Sequence, residues 1–437
     1  MNDLANVSRG QQQRALWAST FAFTVCFAVW TIFSIIGVQL KKDLGLNDTQ
    51  FGLLVATPIL TGSLIRMFLG IWTDQYGGRL VFTAVMLAAA AATWMLTHVS
   101  SYPGFLVAAL FVGIAGGSFA VGVAYVSKWF PTERQGTALG IFGAGNVGAA
   151  VTKLLAPMLM VAAGWQMVAK VWAVGLAITA ILYFLFTQDD PSLARRRREG
   201  VQPVPFLKQL EPLKNIQVWR FSLYYFFVFG AFVALALWLP RYLVGAYGLS
   251  VATAGVIGAL YSIPASLFRV FGGWLSDRVG ARRVMYWTFT VSAVCTFLLS
   301  YPDTTYVVRG IEGDITFRFA IGVVPFTVLV FVLGFFMSLG KAAVYKHIPV
   351  YYPKNVGSVG GVVGMIGGLG GFVLPIAFGA LNDLVGVWTS CFMLLFVIVT
   401  VALTWMHFAI RRMDRKRHPE IREDTDLPEI MAAAQQR

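Results

Sequence analysis

Two arginines stand inside apolar stretches, and their neighbours repeat with them. Arg66 lies in FGLLVATPILTGSLIRMFLGIWTD (51–74) and Arg269 in AGVIGALYSIPASLFRVFGGWLSD (254–277). Each precedes an aspartate, Asp74 or Asp277, by eight residues. The two stretches align without a gap at an offset of 203 residues, from about Leu40 to Gly77. Gly45, Leu46, Gly52, Ser63, Leu64, Phe68, Gly70 and Gly77 recur as Gly248, Leu249, Gly255, Ser266, Leu267, Phe271, Gly273 and Gly280. A guanidinium is planar, permanently charged and offers a fork of donors. Two forks can hold a small planar oxyanion from opposite sides with charge-assisted hydrogen bonds. A charge at bilayer depth costs about 2.5–3.5 kcal/mol even on a lenient insertion scale. The competing reading pairs each arginine with a carboxylate. The acidic residues, however, all fall at helix ends, in loops or in tails. The pair therefore points to one central site for a small anion.

A few other polar groups share these apolar surroundings. Asn146 is the one polar side chain in the run GIFGAGNVG (140–148). It can hydrogen-bond an oxyanion or satisfy a neighbouring backbone group. Lys341 lies about 18 Å from Pro353 along a straight helix, and Lys153 follows Asn146 on the same helix. A lysine removed from water can give up its proton, which makes Lys341 and Lys153 candidates for coupling. Their alternative role is electrostatic lining. Lys128 and Lys346 sit nearer helix ends and are expected to snorkel to the interface. His347, near the same end as Lys346, reads as structural.

The elements that position these groups must be membrane helices. The chain is 57% hydrophobic and 12% charged, with a mean hydropathy of +0.70; a soluble domain carries about 25% charged residues. Twelve apolar runs are expected to span, near 15–40, 50–73, 79–99, 102–130, 137–161, 166–187, 218–246, 252–275, 283–302, 316–343, 355–381 and 386–410. At 1.5 Å per residue, Arg66 and Arg269 each lie about 12 Å from their aspartate, near mid-membrane. The net charge of +14 follows topology and is no nucleic-acid signal. Arg9, Arg14, the run Arg195–Arg198, Lys208, Lys214, Arg220 and the cluster Arg411–Arg417 occupy the termini and central linker. Lys41, Lys42, Arg241, Arg309 and Arg318 are the few on the other side. The positive-inside rule places both termini in the cytoplasm of a multi-pass protein, expected in the inner membrane of a bacterium. The polar break divides the chain into a bundle at 1–187, a basic linker at 188–217, a second bundle at 218–411 and a tail at 412–437.

Two further motifs repeat. Gly70-Ile-Trp-Thr-Asp74-Gln-Tyr-Gly77-Gly78-Arg79 returns as Gly273-Trp-Leu-Ser-Asp277-Arg-Val-Gly280-Ala-Arg282. The aspartate can pair with a base or cap a helix, so Asp74, Arg79, Asp277 and Arg282 read as a conformational latch. Glycine runs at 136–148 and 357–371 match at an offset of about 222. The extra residues fit the loop Asp303–Thr316. Small residues at every third or fourth position let helices pack closely. Gly143, Gly145, Gly148, Gly364, Gly367 and Gly368 are read as gating positions, with plain packing as the alternative. Parallel six-helix repeats describe a secondary transporter with its site between the halves.

The arginine helices, the segment GGSFAVGVAYVSKWFPTERQGTALGIFGAGNVGAAVTKLLAP (116–157) and the segment GKAAVYKHIPVYYPKNVGSVGGVVGMIGGLGGFVLP (340–375) resemble the nitrate/nitrite porter (NarK-like) family of the major facilitator superfamily. The resemblance covers nearly the whole chain. It implies an all-α membrane fold of twelve helices in two pseudo-symmetric halves. It implies import of nitrate by alternating access, with Arg66 and Arg269 clamping the anion and Asn146 assisting. Aromatic lining falls on Phe27, Phe119 and Tyr225. The second glycine run has no asparagine, so pseudo-symmetry ends at the anion. The lysine-bearing segments are more similar to the nitrate/proton symport subgroup than to the nitrate/nitrite exchangers. The expected partners are thus nitrate, nitrite, protons and lipid, for a chain working as a monomer.

Other functions find no support in the motifs. No Walker loop, no GxGxxG after a strand and no metal-ligand cluster occurs, so neither an enzyme nor a cofactor or metal site is expected. Cys26, Cys295 and Cys391 lie in apolar runs and read as core packing. The rivals are a nitrate/nitrite antiporter, a carrier of a small organic anion, and an anion channel.

Overall fold

A computed structural model describes residues 7–130, 132–191, 193, 200, 214–351 and 356–417. Among the described residues, twelve helical rods follow one another. They are α1 (Arg9–Asp43), α2 (Asp48–Tyr76), α3 (Gly78–His98), α4 (Tyr102–Ser127), α5 (132–163) and α6 (Trp165–Phe186). After the linker come α7 (Ile216–Tyr247), α8 (Val251–Leu267, continued as Arg269–Val279), α9 (Ala281–Leu299), α10 (Val323–Tyr351), α11 (Val356–Val385) and α12 (Ser390–Arg417). Nine of them, or ten counting the bent α8 as one span, are long and apolar enough to cross a membrane among the described residues. The linker run Arg195–Arg198 and the tail beyond residue 417 lie outside the described residues.

Local chemistry sets the ends. Asn47 caps α2 in a reciprocal box with Gln50, Ser8 does the same for α1 with Gln11, and Ser250 caps α8. These side chains satisfy the first backbone donors of each helix. The turns after α2 and α8 fall on Gly77 and Gly280, at φ of 92° and 89°. Only glycine takes that conformation without a steric penalty, and the internal repeat pairs these two positions.

One boundary differs from the sequence expectation. The run at 316–343 was expected to be a single span, but α10 begins at Val323. Residues before it form strand β2 (Asp314–Phe319), paired antiparallel with β1 (Thr304–Arg309). Alternating apolar and polar residues there favour a strand over a helix, and total hydropathy hid that period.

The six helices before the linker meet the six after it along two seams. α2 packs along α11, and α5 packs along α8. A β-carbon on Gly52 would lie 2.2 Å from the Pro375 carbonyl oxygen of α11. One on Gly255 would lie 2.2 Å from the Lys153 carbonyl oxygen of α5. Gly52 and Gly255 are partners in the repeat, so the same glycine makes a backbone-to-backbone approach at both seams. α1 and α7 are the most enclosed rods and α12 the most peripheral.

Gly52→Ala and Gly255→Ala should each cost about 1–3 kcal/mol, because each added methyl meets backbone. The midpoint of thermal unfolding in detergent should fall for both. Gly175→Ala, where a β-carbon meets nothing within 4 Å, is the control and should hold or raise the midpoint. Equal midpoints for all three would remove the seam argument.

Candidate functional site

The two arginines converge from opposite halves. Arg66 on α2 and Arg269 on α8 are both buried. Each guanidinium lies near the ring of Phe119, at 5.4 Å and 5.7 Å from its centroid. One aromatic ring of α4 therefore sits beside both charges. Trp30 and Phe229 complete the surround of Arg66, and Tyr345 faces Arg269. Cation–π contacts of this kind soften a charge in an apolar site without neutralising it. Among the described residues no carboxylate lies within ion-pair distance of either arginine. Like charges bordering one ring in an apolar interior repel one another.

Polar groups around the pair are left short of partners. Arg66 Nε donates to the Gly116 carbonyl at 3.3 Å, while Arg269 has a buried Nη1 without an acceptor. Both amide atoms of Asn146 are buried and unpartnered, and so is Ser63 Oγ. Tyr225 is fully buried, stacked on Phe229 and edge-on to Tyr345, and its hydroxyl forms no well-made hydrogen bond. A buried polar atom without a partner carries a desolvation penalty of about 1–3 kcal/mol. Cations, an amide and hydroxyls are donors of the kind a small anion accepts from.

Breaks in regular helix deliver these groups. Asn146 rides a 3-10 turn (Ala144–Val147) inside α5, and the Gly116 carbonyl belongs to another (Gly113–Gly117) inside α4. Tyr225 precedes a π-turn (Phe226–Ala231) that carries Phe229. Arg269 is the first residue after the 41° bend in α8. Such breaks occur at functional sites because they re-aim side chains and free backbone groups.

The other expected residues are placed as follows. Phe27 is buried one layer away, against Phe23, Trp30 and Phe232, and not against the arginines. A β-carbon at Gly143 would face Arg269, at Gly145 Phe23, at Gly148 the Thr24 carbonyl, at Gly364 the Tyr345 hydroxyl, at Gly367 Tyr225 and at Gly368 Ser63 and Arg66. The glycine runs thus line the site as well as the helix crossings. Lys341 is buried on α10, donates to the Ala265 carbonyl at 2.7 Å and sits 3.3 Å from the Phe232 ring centroid. Ala265 is one turn before Arg269. Lys153 is buried at the α5–α8 seam and donates to Ala149 of its own helix. Neither lysine has a carboxylate in reach among the described residues.

The repeated turns are tied within each half. Asp277 of α8 pairs with Lys346 of α10, Arg282 donates to the Tyr351 hydroxyl, and Arg79 donates to the Phe184 carbonyl of α6. The Asp74 side chain lies outside the described residues. His347 Nδ1 donates to the Ala343 carbonyl of its own helix at 2.8 Å, and its ring packs on Phe221 and Tyr351.

Polar ties between the halves stand at the other end, and sequence reading missed them. The Asp383 carboxylate of α11 accepts from the backbone of Asp48 and Thr49 at the start of α2, and from the Thr49 hydroxyl. Asp48 in turn meets Arg241 of α7, Lys41 and the Asn382 amide. A carboxylate on a helix N-terminus is favoured by unpaired donors and by the dipole. Trp30, Phe229, Tyr345 and Ser63 were also missed at the arginine pair. For Ser63 the signal was present, since it recurs as Ser266.

The comparisons with known proteins decide the family. The Major Facilitator Superfamily profile matches residues 18–321 and 242–433. A Thermus thermophilus protein named "Probable nitrate/nitrite antiporter NarK1" is 43% identical over 433 residues, covering 96% of each chain. The chain belongs to the major facilitator superfamily, in its NarK-like nitrate/nitrite porter family. A Bacillus subtilis "Nitrite extrusion protein" is 30% identical, covering 94% of this chain and 98% of its own. A Staphylococcus haemolyticus "Probable nitrate transporter NarT" is 30% identical, covering 90% and 95%. In fold, the chain is similar to a bacterial homologue of the human lysosomal transporter Spinster, in an inward-facing and occupied conformation. That match has a TM-score of 0.69 at 16% identity and covers 93% of this chain and 98% of the other. A mutant of the nucleoside transporter NupG gives a TM-score of 0.67 at 14% identity, covering 90% and 99%. The expected all-α major facilitator fold therefore holds, and these porters and fold neighbours are transporters.

Loss of the end tie should open that end. Asp383→Ala removes acceptors from two helix N-terminal donors, a contribution of about 0.5–2 kcal/mol for a cap. A cysteine at Ile59, buried on α2 facing Gly371, should then react roughly 2–30 times faster with a thiol reagent that cannot cross the membrane. An unchanged rate would assign the closure to apolar packing alone.

Proposed function

We propose that this protein carries nitrate across the bacterial cytoplasmic membrane by alternating access, with Arg66 and Arg269 as the clamp. The observation that carries the reading is a buried guanidinium pair, one from each half, that shares Phe119 and has no carboxylate partner among the described residues. The names of the relatives support it. Nitrate is planar, singly charged and weakly hydrated, so it sheds water cheaply and matches two flat forks. Without the anion the forks repel; with it they draw the halves together. Asn146 and Tyr225 supply further donors. The bundles at 1–187 and 218–411 would rock about this point, joined by the 188–217 linker. Both termini would be cytoplasmic, the Asp48–Asp383 end would face outward, and the chain would act as a monomer without catalysing a reaction.

Coupling is the second part of the proposal. Moving an anion inward against a negative interior costs about 2.3 kcal/mol per charge per 100 mV. Something must offset that. Lys341 supports proton coupling, because its ammonium hydrogen-bonds α8 one turn from Arg269. A change in its charge would be felt at the clamp. Exchange for nitrite on the same site is the second reading. It is favoured by the name of the Thermus relative and by the lack of a membrane carboxylate beside the clamp.

Proteoliposome uptake of labelled nitrate separates the two. The pH gradient, membrane potential and internal nitrite are varied independently. Uptake driven by an inward proton gradient, without internal nitrite, is the expected result. Uptake only against internal nitrite would make the protein an exchanger.

Arg66→Lys and Arg269→Lys should each weaken nitrate binding by roughly 10–150-fold, the loss expected for a charged hydrogen bond worth about 1.5–3 kcal/mol. Tryptophan-fluorescence titration of the folded variants measures this, and wild-type affinity in either would end the clamp model. Lys341→Ala should flatten the pH dependence of uptake while nitrate affinity changes little. An unaltered pH profile would leave the lysine as lining.

A further inference from the structure

The hairpin β1–β2 is amphipathic across its two faces. Its register pairs Thr304 with Phe319, Tyr306 with Phe317 and Val308 with Ile315. These alternate pairs share one face of the sheet. The intervening pairs, Thr305 with Arg318, Val307 with Thr316 and Arg309 with Asp314, make the other. One face is thus apolar and aromatic apart from Thr304, and the other largely polar. Arg318 pairs with Asp303, and Arg309 stands opposite Asp314 in the register, so the arginines of the polar face each have an acidic neighbour. The Arg318 fork holds the Asp303 carboxyl below its ordinary range.

The apolar face is left uncovered. Tyr306, Val308, Ile315, Phe317 and Phe319 keep 37–59% of their surface exposed, and Ile311 at the tip is fully exposed. An isolated two-stranded hairpin is marginal in water and needs a surface to pack on. The hairpin follows α9 after four residues and precedes α10 after three. The adjoining turns of those helices expose Phe297, Leu298, Val324 and Val328. The uncovered face is therefore continuous along the chain with the belt that meets lipid.

We propose that this hairpin lies on the outer membrane surface, with its apolar face at the headgroup–acyl boundary. Aromatic side chains are enriched at that depth. An amphipathic element with neutralised charges binds there through buried apolar area. The lipid surface is favoured over a protein partner because it is always beside α9 and α10 and because the uncovered face is apolar. The α3–α4 turn, only three residues long, has no such element. The anchor would belong to the second half alone.

The test uses the full chain in proteoliposomes. A nitrobenzoxadiazole label is placed at Val308→Cys or at Thr316→Cys, on opposite faces; the three native cysteines are buried. Lipids spin-labelled near the headgroup should quench Val308→Cys strongly and Thr316→Cys weakly, and aqueous iodide should do the reverse. Adding Phe317→Glu should reduce the lipid quenching at Val308→Cys. Equal iodide quenching at both positions would overturn the proposal. So would protection of Val308→Cys with no lipid quenching but with cross-linking between copies, which would assign the face to a second molecule.

Discussion

Two positive charges held together in a low-dielectric interior, with no negative charge beside them among the described residues, set the terms for the rest of this protein. Coulomb repulsion between Arg66 and Arg269 grows as water is excluded. The fold must therefore hold them apart, screen them or supply an anion. Phe119, Trp30, Phe229 and Tyr345 screen them in part. On the proposed reading an anion relieves the repulsion and accepts from the unpartnered Asn146 Nδ2. Binding and approach of the halves would then be one event, since the arginines sit on opposite halves.

That requirement explains the irregular helices. A continuous α-helix uses its backbone donors and acceptors internally and leaves little to aim at a ligand. The 3-10 turns in α4 and α5, the π-turn in α7 and the bend before Arg269 fall where the site is built. Away from the site, glycine at the two seams lets backbone touch backbone. Smooth contacts of that kind have few side chains to disentangle when the halves move. Among the described residues, polar ties between the halves gather around Asp48 and Asp383. The ties described around Asp277, Arg282 and Arg79 stay within a half. Among the described residues, the halves are fastened to one another around Asp48 and Asp383, at the end opposite the repeated turns.

The sequence alone determined the membrane class, the twelve rods and the repeat, because hydropathy and spacing are local properties of the chain. It also singled out Arg66 and Arg269, since a charge in an apolar run is conspicuous without coordinates. It could not say which aromatics meet the guanidiniums. Thirty-five phenylalanines share one hydrophobic signal, and only the crossing of helices selects Phe119 and Phe229 over Phe27. Nor could it find Asp383 on the α2 N-terminus or Asp48 beside Arg241, whose partners lie hundreds of residues apart. The hairpin was hidden for a related reason. Its residues carry enough apolar weight to extend a helix by hydropathy, and only strand pairing separates them into two faces. What depends on the order of residues was legible; what depends on distant segments meeting was decided by the tertiary structure.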